Sequence, residues 1–135
     1  MNKIANQKPL RLYLIRHGEV EGAEAGWLLG RTDAPLSERG REQSHQLAEF
    51  LSTERLTSLY SRTHESGNIA LITHGGVCRV IIGDALGMLA RNWLRLAQYY
   101  GCVNVVDWYD GNPTVKLLNG VRTCENSETH LFVRR

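Results

Sequence analysis

Hydrophobic residues along this chain fall into short apolar runs separated by amphipathic segments. Three runs rich in strand-forming residues predict strands, at Leu10–Ile15, Leu56–Tyr60 and Ile69–Thr73. The third run is continuously apolar, which is typical of a buried strand in a parallel sheet. Later in the chain, apolar segments at 102–109 and 114–119 flank the turn residues of 110–113 and predict a β-hairpin.

Two segments have apolar residues at helical spacing. The first covers residues 38–52, with Ser37 as its N-cap and Glu38 in the first turn, where the helix dipole favours a carboxylate. The second begins at Gly75-Gly76 and is apolar on two faces, so we expect it to pack against the sheet and a second neighbour. Residues 91–98 predict a short additional helix. Strands that alternate with helices predict an α/β fold, a three-layer sandwich with a mostly parallel central sheet.

The ends of the first and third predicted strands carry the candidate chemistry. Arg16, His17 and Gly18 follow one strand, and His74 and Gly75 follow the other. If the strands are parallel neighbours, both imidazoles lie at the edge where α/β sheets bind ligands. The glycines after His74 lead into a helix N-terminus, which favours an anion, and the Arg16 guanidinium can donate two hydrogen bonds to phosphate. The pattern predicts a phosphate pocket in which neutral His17 attacks phosphorus.

Two other interpretations of these histidines remain open. A histidine at a strand end is often only a polar residue at the start of a loop, and Arg-His-Gly alone is a weak pattern. A zinc site built from His17, His74 and a carboxylate is the metal alternative, but the chain has no HxH, HExxH or paired cysteines. We therefore expect neither a metal nor a cofactor.

Composition narrows the class of protein and its partners. A chain of 135 residues predicts a single domain over 1–135, and a net charge of +2 does not indicate nucleic acid or an anionic membrane as a partner. The three scattered cysteines favour a reducing compartment. We expect a flexible arm at residues 1–9, no signal peptide, no membrane span and a cytoplasmic location.

Three motifs, taken in order, resemble the histidine phosphatases, the phosphoglycerate-mutase-like superfamily. They read LYLIRHGEV at 12–20, GRTDAPLSERGREQ at 30–43 and NIALITHGGVCRVII at 68–82. The resemblance implies that His17 is phosphorylated and that the phosphoryl group is then hydrolysed or transferred. It also implies that Arg16 binds the phosphoryl group and that His74 stabilises its charge.

The same resemblance implies further phosphate or substrate contacts and points to a subfamily. Gly18 would allow close approach, Glu19 would orient the loop, Gly30 would lie on the substrate side, and Gly75 would open the anion-binding helix. The mutases usually continue Arg-His-Gly-Glu with Ser-x-Trp-Asn, whereas this chain continues with Val-Glu-Gly-Ala at 20–23. That difference speaks against a phosphoglycerate mutase. Residues 93–119 look more like the end of the α-ribazole phosphatases.

An internal helical insert of the family is missing from this chain. In the family, the insert region carries a second phosphate-binding arginine and the carboxylate that protonates the leaving group. Here only residues 63–67 separate Arg62 from Asn68. Arg62 is the candidate replacement for the arginine, and Glu65 or His64 for the acid, although a solvated turn is the simpler interpretation.

These patterns together predict a shortened, phosphoglycerate-mutase-like phosphomonoester hydrolase, impaired by the loss of its acid. The alternatives are a non-catalytic phosphate-binding or interaction protein and a phosphotransferase of the phosphoglycerate mutase type. The expected partner is a small phosphorylated substrate or inorganic phosphate. Apolar surface that the insert would cover also predicts a homodimer.

Overall fold

The computed structural model describes residues 8–23, 33–56 and 67–121. Several predictions fall on residues outside these ranges. They concern most of the arm at 1–9, the loop position Gly30, residues 57–60 of the predicted second strand, Arg62, and residues 63–66 of the bridge that follows it. These predictions are not tested by the structure.

The described elements are a four-stranded sheet, two α-helices and one 3-10 helix. In chain order they are β1 (Leu10–Arg16), α1 (Glu38–Ser52), β2 (Gly67–Thr73), α2 (Gly75–Ala85), a 3-10 helix (Ala90–Arg95), β3 (Val103–Tyr109) and β4 (Asn112–Gly120). The bounds predicted for α1 are confirmed, and the bounds predicted for β1, β2 and β3 agree to within two residues. Ser37 is also confirmed as the N-cap of α1, since its hydroxyl accepts a hydrogen bond from the Gly40 N–H at 3.0 Å.

The order of the described strands is β2-β1-β3-β4. β1 pairs with β2 in parallel, whereas β1 with β3 and β3 with β4 pair antiparallel. The α/β class is confirmed, but the prediction of a mostly parallel sheet is wrong for the described strands, which form a mixed sheet. The predicted hairpin of β3 and β4 is confirmed, with a tight turn at Asp110 and Gly111, both with positive φ. The parallel-sheet prediction failed because β3 pairs antiparallel with β1, a long-range pairing that no local pattern indicates.

The two helices cover opposite faces of the sheet, so the predicted three-layer arrangement is confirmed. On one face, Leu47 of α1 packs with Tyr13 and Ile15 of β1. On the other face, Cys78 and Ile82 of α2 pack with Leu14. Successive side chains of β1 therefore pack into the cores on opposite faces of the sheet, as expected from their alternation along a strand.

The prediction that the third apolar run is a buried strand is wrong in part. Ile72 in β2 is 54% exposed, because β2 is an outer strand of the described sheet. On α2, Cys78 and Ile82 are buried, but Val77 and Val80 are 41% and 44% exposed. The prediction that α2 packs against the sheet and a second neighbour is confirmed, because Ile82 packs with Leu14 of β1 and Gly83 lies against the Trp93 ring of the 3-10 helix. No helix in the described ranges is long and apolar enough to cross a membrane.

An ion pair between β1 and β3 fixes the register of the two central strands. Arg11 donates two hydrogen bonds of 2.7 Å to the carboxylate of Asp107, its partner across the antiparallel ladder. The Asp107 side chain is fully buried, whereas that of Arg11 is 37% exposed. Removing the arginine would leave a buried carboxylate with one remaining hydrogen bond, from the Tyr109 hydroxyl at 3.5 Å.

We expect Arg11→Met to lower the free energy of unfolding by roughly 3 kcal/mol, because a buried carboxylate then loses its counterion. The matched control is Arg39→Met, since Arg39 is 76% exposed and lies 3.9 Å from Glu19. That change should shift stability by less than about 0.5 kcal/mol. Urea unfolding followed by circular dichroism measures both, and equal effects would contradict the account.

Candidate functional site

The parallel pairing of β1 and β2 brings the two candidate histidines together. Arg16 and Thr73 are partners in the ladder, and the His17 N–H donates to the Thr73 carbonyl at 2.9 Å. The imidazole rings of His17 and His74 have centroids 4.9 Å apart and meet edge to face at 78°. The predicted juxtaposition is therefore present in the structure, whereas the chemical roles of both residues stay predictions.

The surroundings of His17 define its tautomer and protonation state. Its Nδ1 lies 2.7 Å from the Gly18 carbonyl oxygen, which can only accept, so this geometry assigns the proton to Nδ1. The pKa of His17 is lowered, first by partial burial and then by the charges of His74 and Arg16, although the Gly18 hydrogen bond opposes this. A neutral imidazole protonated at Nδ1 carries its free lone pair on Nε2.

The Arg16 guanidinium is held from several sides. Its Cζ lies 3.6 Å from the centre of the Tyr100 ring, and its Nη1 donates to the Gln98 carbonyl at 2.5 Å. A Cβ on Gly75 would lie 3.2 Å from both Cδ and Nε of Arg16, so glycine leaves room for the arginine against the start of α2. The Nε atom is buried and has no hydrogen-bond partner within the described ranges of the chain. A buried donor without a partner is unfavourable unless a ligand accepts its hydrogen bond.

His74 forms the N-cap of α2 with an extended backbone, and its side chain makes no capping hydrogen bond. The first N–H groups of a helix have no intrahelical acceptor, and the helix dipole adds partial positive charge there. The start of α2, the Nε of Arg16 and the His17 ring therefore lie around one region of positive potential and unpaired donors. Such a region is suited to an anion with several acceptor oxygens.

Gly18 has a packing role that the sequence does not predict. A Cβ at this position would lie 2.5 Å from the carbonyl oxygen of Gly40 in α1. A Cβ on Gly40 would in turn overlap the Glu19 carbonyl. The two glycines therefore let the backbone after β1 lie directly on the first turn of α1, which fixes the height of His17 above the sheet. The predicted contact of Gly18 with phosphate stays a prediction.

Glu19 is turned toward the N-terminus of α1. Its carboxylate accepts a hydrogen bond of 3.0 Å from the Ser37 hydroxyl, and its backbone N–H donates to the Gln43 side chain at 2.8 Å. The Ser37 N–H also donates to the Glu19 carbonyl at 3.0 Å. These contacts attach the loop after β1 to the first turn of α1, and the orienting role of Glu19 stays a prediction.

Sequence reasoning missed the segment that precedes β3. The Tyr100 ring lies 3.6 Å from the Arg16 Cζ and its centroid is 5.7 Å from that of the His17 ring. Gln98 contributes its carbonyl to the same arginine. Both contacts follow from the antiparallel pairing of β3 with β1, which brings the start of one strand to the end of the other. No local pattern in the sequence indicates that pairing.

The remaining predicted residues are only partly placed. Gly75 lies beside Arg16 at the start of α2, as described above, whereas Gly30 and Arg62 fall outside the described residues. Within the described ranges, no group of three or more histidine, cysteine, aspartate or glutamate residues is arranged to hold a metal ion.

Comparison with protein families identifies one match over most of the chain. The model of the histidine phosphatase superfamily (branch 1) matches residues 12–63 and 61–120. The two matched segments meet at the short bridge where the sequence predicts a missing insert. Within the described part of these segments lie Arg16, His17 and His74.

Curated relatives carry more than one name. The chain is 34% identical over 94 residues to a probable phosphoglycerate mutase GpmB of Cronobacter sakazakii, covering 63% of this chain and 43% of the relative. It is 35% identical over 93 residues to phosphoserine phosphatase 1 of Hydrogenobacter thermophilus, covering 61% of this chain and 44% of the relative. The chain thus spans less than half the length of these relatives.

Solved structures show the same fold at lower identity. The α-ribazole phosphatase of Shigella flexneri superposes with a TM-score of 0.68 at 19% identity, covering 87% of this chain and all of that chain. YhfR of Bacillus stearothermophilus superposes with a TM-score of 0.70 at 16% identity, covering 80% and 96%. At these identities the likeness is one of fold alone.

We expect Gly40→Ala to lower the free energy of unfolding by about 1–3 kcal/mol, because the new methyl group overlaps the backbone of Glu19. The matched control is Gly76→Ala in α2, where a Cβ would meet nothing within 4 Å. That change should be neutral or stabilise by up to about 1 kcal/mol through helix propensity. Chemical unfolding measures both, and equal tolerance at both glycines would contradict the packing described.

We expect His17 to titrate below 6.5, the ordinary imidazole value, and His74→Asn to move its pKa back upward. Since the folded pKa is lower than the unfolded one, the associated stability is present above about 6.5 and is lost as the pH falls through the folded pKa. Nitrogen-15 NMR of the histidine side chains measures the titration, with His45→Asn as control. A His17 pKa at or above the ordinary value would contradict the account.

Proposed function

Because the chain belongs to the histidine phosphatase superfamily, we propose that it is a phosphomonoester hydrolase that works through a phosphohistidine at His17. The observation that carries this proposal is that His17, whose hydrogen bond to Gly18 leaves the free lone pair on Nε2, directly follows an arginine whose buried Nε has no hydrogen-bond partner among the described residues. A nucleophile and an unpaired cationic donor at one strand edge match what phosphoryl transfer requires. The superfamily match supports the chemistry at the level of phosphatase or mutase.

In the first proposed step, Nε2 of His17 attacks phosphorus. A P–N bond forms, the P–O bond to the leaving group breaks, and the departing oxygen takes the electron pair. His17 needs no prior deprotonation, because its lowered pKa keeps the ring neutral and Gly18 holds the proton on Nδ1. Arg16, His74 and the N–H groups at the start of α2 would stabilise the equatorial oxygens as charge shifts.

In the second step, water attacks the phosphohistidine. A new P–O bond forms, the P–N bond breaks, and the electron pair returns to Nε2 of His17. One proton of the water is lost to solvent and inorganic phosphate is released. The Gly18 carbonyl keeps its hydrogen bond to Nδ1 throughout, so the ring returns in the tautomer in which it started.

In our proposal, the site has no assigned general acid to protonate the leaving group. Glu19, the carboxylate nearest to His17 in sequence, accepts a hydrogen bond from Ser37 and is the orienting residue in our proposal, not the acid. A missing general acid typically slows the departure of a poor leaving group by about 10²–10⁴-fold. We therefore propose an impaired enzyme that prefers esters with acidic leaving groups.

The substrate is proposed only as a small phosphomonoester. Curated relatives are named a mutase and a phosphoserine phosphatase, and one structural neighbour is named an α-ribazole phosphatase. The likeness of residues 93–119 to the α-ribazole phosphatases supports that member of the set, and the sequence at 20–23 disfavours a mutase. A cytoplasmic location, a homodimeric state and the absence of a nucleic-acid or membrane partner stay predictions.

A second candidate is a non-catalytic phosphate-binding or interaction protein. It is favoured by the division of the family match into two segments at residues 61–63, next to the bridge where the resemblance implies that the acid is missing. Such a protein would keep the affinity of Arg16 and His74 for an anion while having lost the chemistry. Orthovanadate binding without hydrolysis of an aryl phosphate would support it.

We expect incubation with ³²P-labelled p-nitrophenyl phosphate, followed by a base quench, to trap an acid-labile, base-stable phosphoryl group on His17. His17→Ala should remove the label, and His45→Ala, an exposed position in α1, should not. Turnover of p-nitrophenyl phosphate should exceed that of glycerol phosphate by more than about 10²-fold, because the alkoxide leaves without an acid.

Label on His17→Ala equal to that on wild type would show that another residue is the nucleophile. Equal turnover of the aryl and alkyl esters would show that an acid is present after all. If the protein binds vanadate but takes no label and hydrolyses neither ester, the result would favour the non-catalytic alternative.

A further inference from the structure

The geometry points to Tyr100 as the positioning residue of the site, which holds the Arg16 guanidinium in the orientation that receives phosphate. This inference rests on the proposed function and extends it to a residue outside the recognisable motifs. Tyr100 lies in the connection between the 3-10 helix and β3, far from Arg16 in sequence. Its ring face lies 3.6 Å from the Arg16 Cζ.

The stack leaves Arg16 with defined directions for its donors. Nη1 is committed to the Gln98 carbonyl at 2.5 Å, and the Tyr100 ring covers the guanidinium plane. The Cδ and Nε atoms lie against Gly75 at the start of α2, and Nε remains without a partner. A flexible side chain that is fixed beforehand loses less conformational freedom when its ligand binds.

The backbone around Tyr100 is fixed by hydrogen bonds at its own carbonyl and at the N–H of the next residue. Its carbonyl accepts a hydrogen bond of 3.2 Å from the Gln43 side chain of α1. The N–H of Gly101 donates to the His17 carbonyl at 3.1 Å. Gly101 has a φ of +70°, in the region that favours glycine, so the chain turns sharply after the tyrosine. The ring is therefore connected to the same loop that carries the nucleophile.

A buried pair of amides fixes the start of this segment. Gln98 and Asn104 are 3% and 0% exposed, and each side chain donates to the other, at 2.9 and 2.8 Å. Asn104 also donates to the Leu14 carbonyl at 3.0 Å, which ties the pair to β1. Buried amides are tolerated only when they are hydrogen-bonded, and a satisfied pair makes the surrounding backbone rigid. The Gln98 carbonyl is thereby presented to Arg16 at a fixed position.

Tyr100 acts on phosphate through Arg16. Its ring lies 5.7 Å from the His17 ring, and its face is already covered by the guanidinium. The stack with a cation is electrostatic and depends on the aromatic ring, not on the hydroxyl group. Phenylalanine should therefore replace tyrosine here, whereas leucine should not.

The experiment compares Tyr100→Leu, Tyr100→Phe and the neighbouring control Tyr99→Ala, a 56% exposed position. We expect Tyr100→Leu to weaken orthovanadate binding and slow phosphoryl labelling of His17 by about tenfold. Tyr100→Phe should stay within about twofold of wild type, and Tyr99→Ala should be unchanged. In the Arg16→Lys background, which lacks the planar stacking group, the further change Tyr100→Leu should have less than about a twofold effect.

A second measurement observes the arginine directly in the ligand-free protein. The Arg16 Nε–H proton should be shifted upfield by the Tyr100 ring in wild type and Tyr100→Phe, and the shift should vanish in Tyr100→Leu. Thermal melting shows whether each variant keeps its fold. An unshifted Nε–H in wild type would overturn the inference even where vanadate binds.

Different results would contradict the proposed function and the role of Tyr100. A wild type that binds no vanadate and takes no label overturns the proposed function, and with it the role assigned to Tyr100. If wild type binds vanadate and Tyr100→Leu binds it equally strongly, the role of Tyr100 alone is overturned. An equal loss in the wild-type and Arg16→Lys backgrounds also overturns it, because the tyrosine then acts independently of the arginine.

Discussion

The parallel pairing of β1 with β2 is the constraint on which the rest of the site depends. Because Arg16 and Thr73 are partners in that ladder, both strands end at the same height. His17 and His74 follow these strand ends directly, so their rings lie next to each other, with centroids 4.9 Å apart. A slip of one residue would turn every side chain of β2 to the other face and separate the rings.

Around this pair, the backbone supplies as much of the site as the side chains do. The carbonyl of Gly18 sets the tautomer of His17, and the start of α2 adds donors without an acceptor. The contact of Gly18 with Gly40 brings the loop that follows β1 onto α1, and a larger residue at either position would prevent this contact. Arg16 is the exception, since its guanidinium lies between a ring, a carbonyl and a glycine, with Nε unpaired. Unpaired donors of this kind suit an anion, which is the ligand that we propose.

The sequence predicted those features that depend on local periodicity. The bounds of α1 follow from its apolar spacing and the Ser37 cap, and the hairpin of β3 and β4 follows from its turn residues. The position of β3 beside β1 was not predictable, because strand order is set by long-range packing that no local pattern encodes. The antiparallel pairing of β3 with β1 and the contact of Tyr100 with Arg16 both follow from that strand order.

We propose that the reacting atom is Nε2 of His17, because the hydrogen bond to the Gly18 carbonyl places the ring proton on Nδ1. Phosphorus-31 NMR of the trapped phosphoenzyme, combined with peptide mass spectrometry, tests it most directly. The account predicts a phosphoryl group on Nε2 of the His17 imidazole. A phosphoryl group on Nδ1 of His17, or on His74, would contradict it.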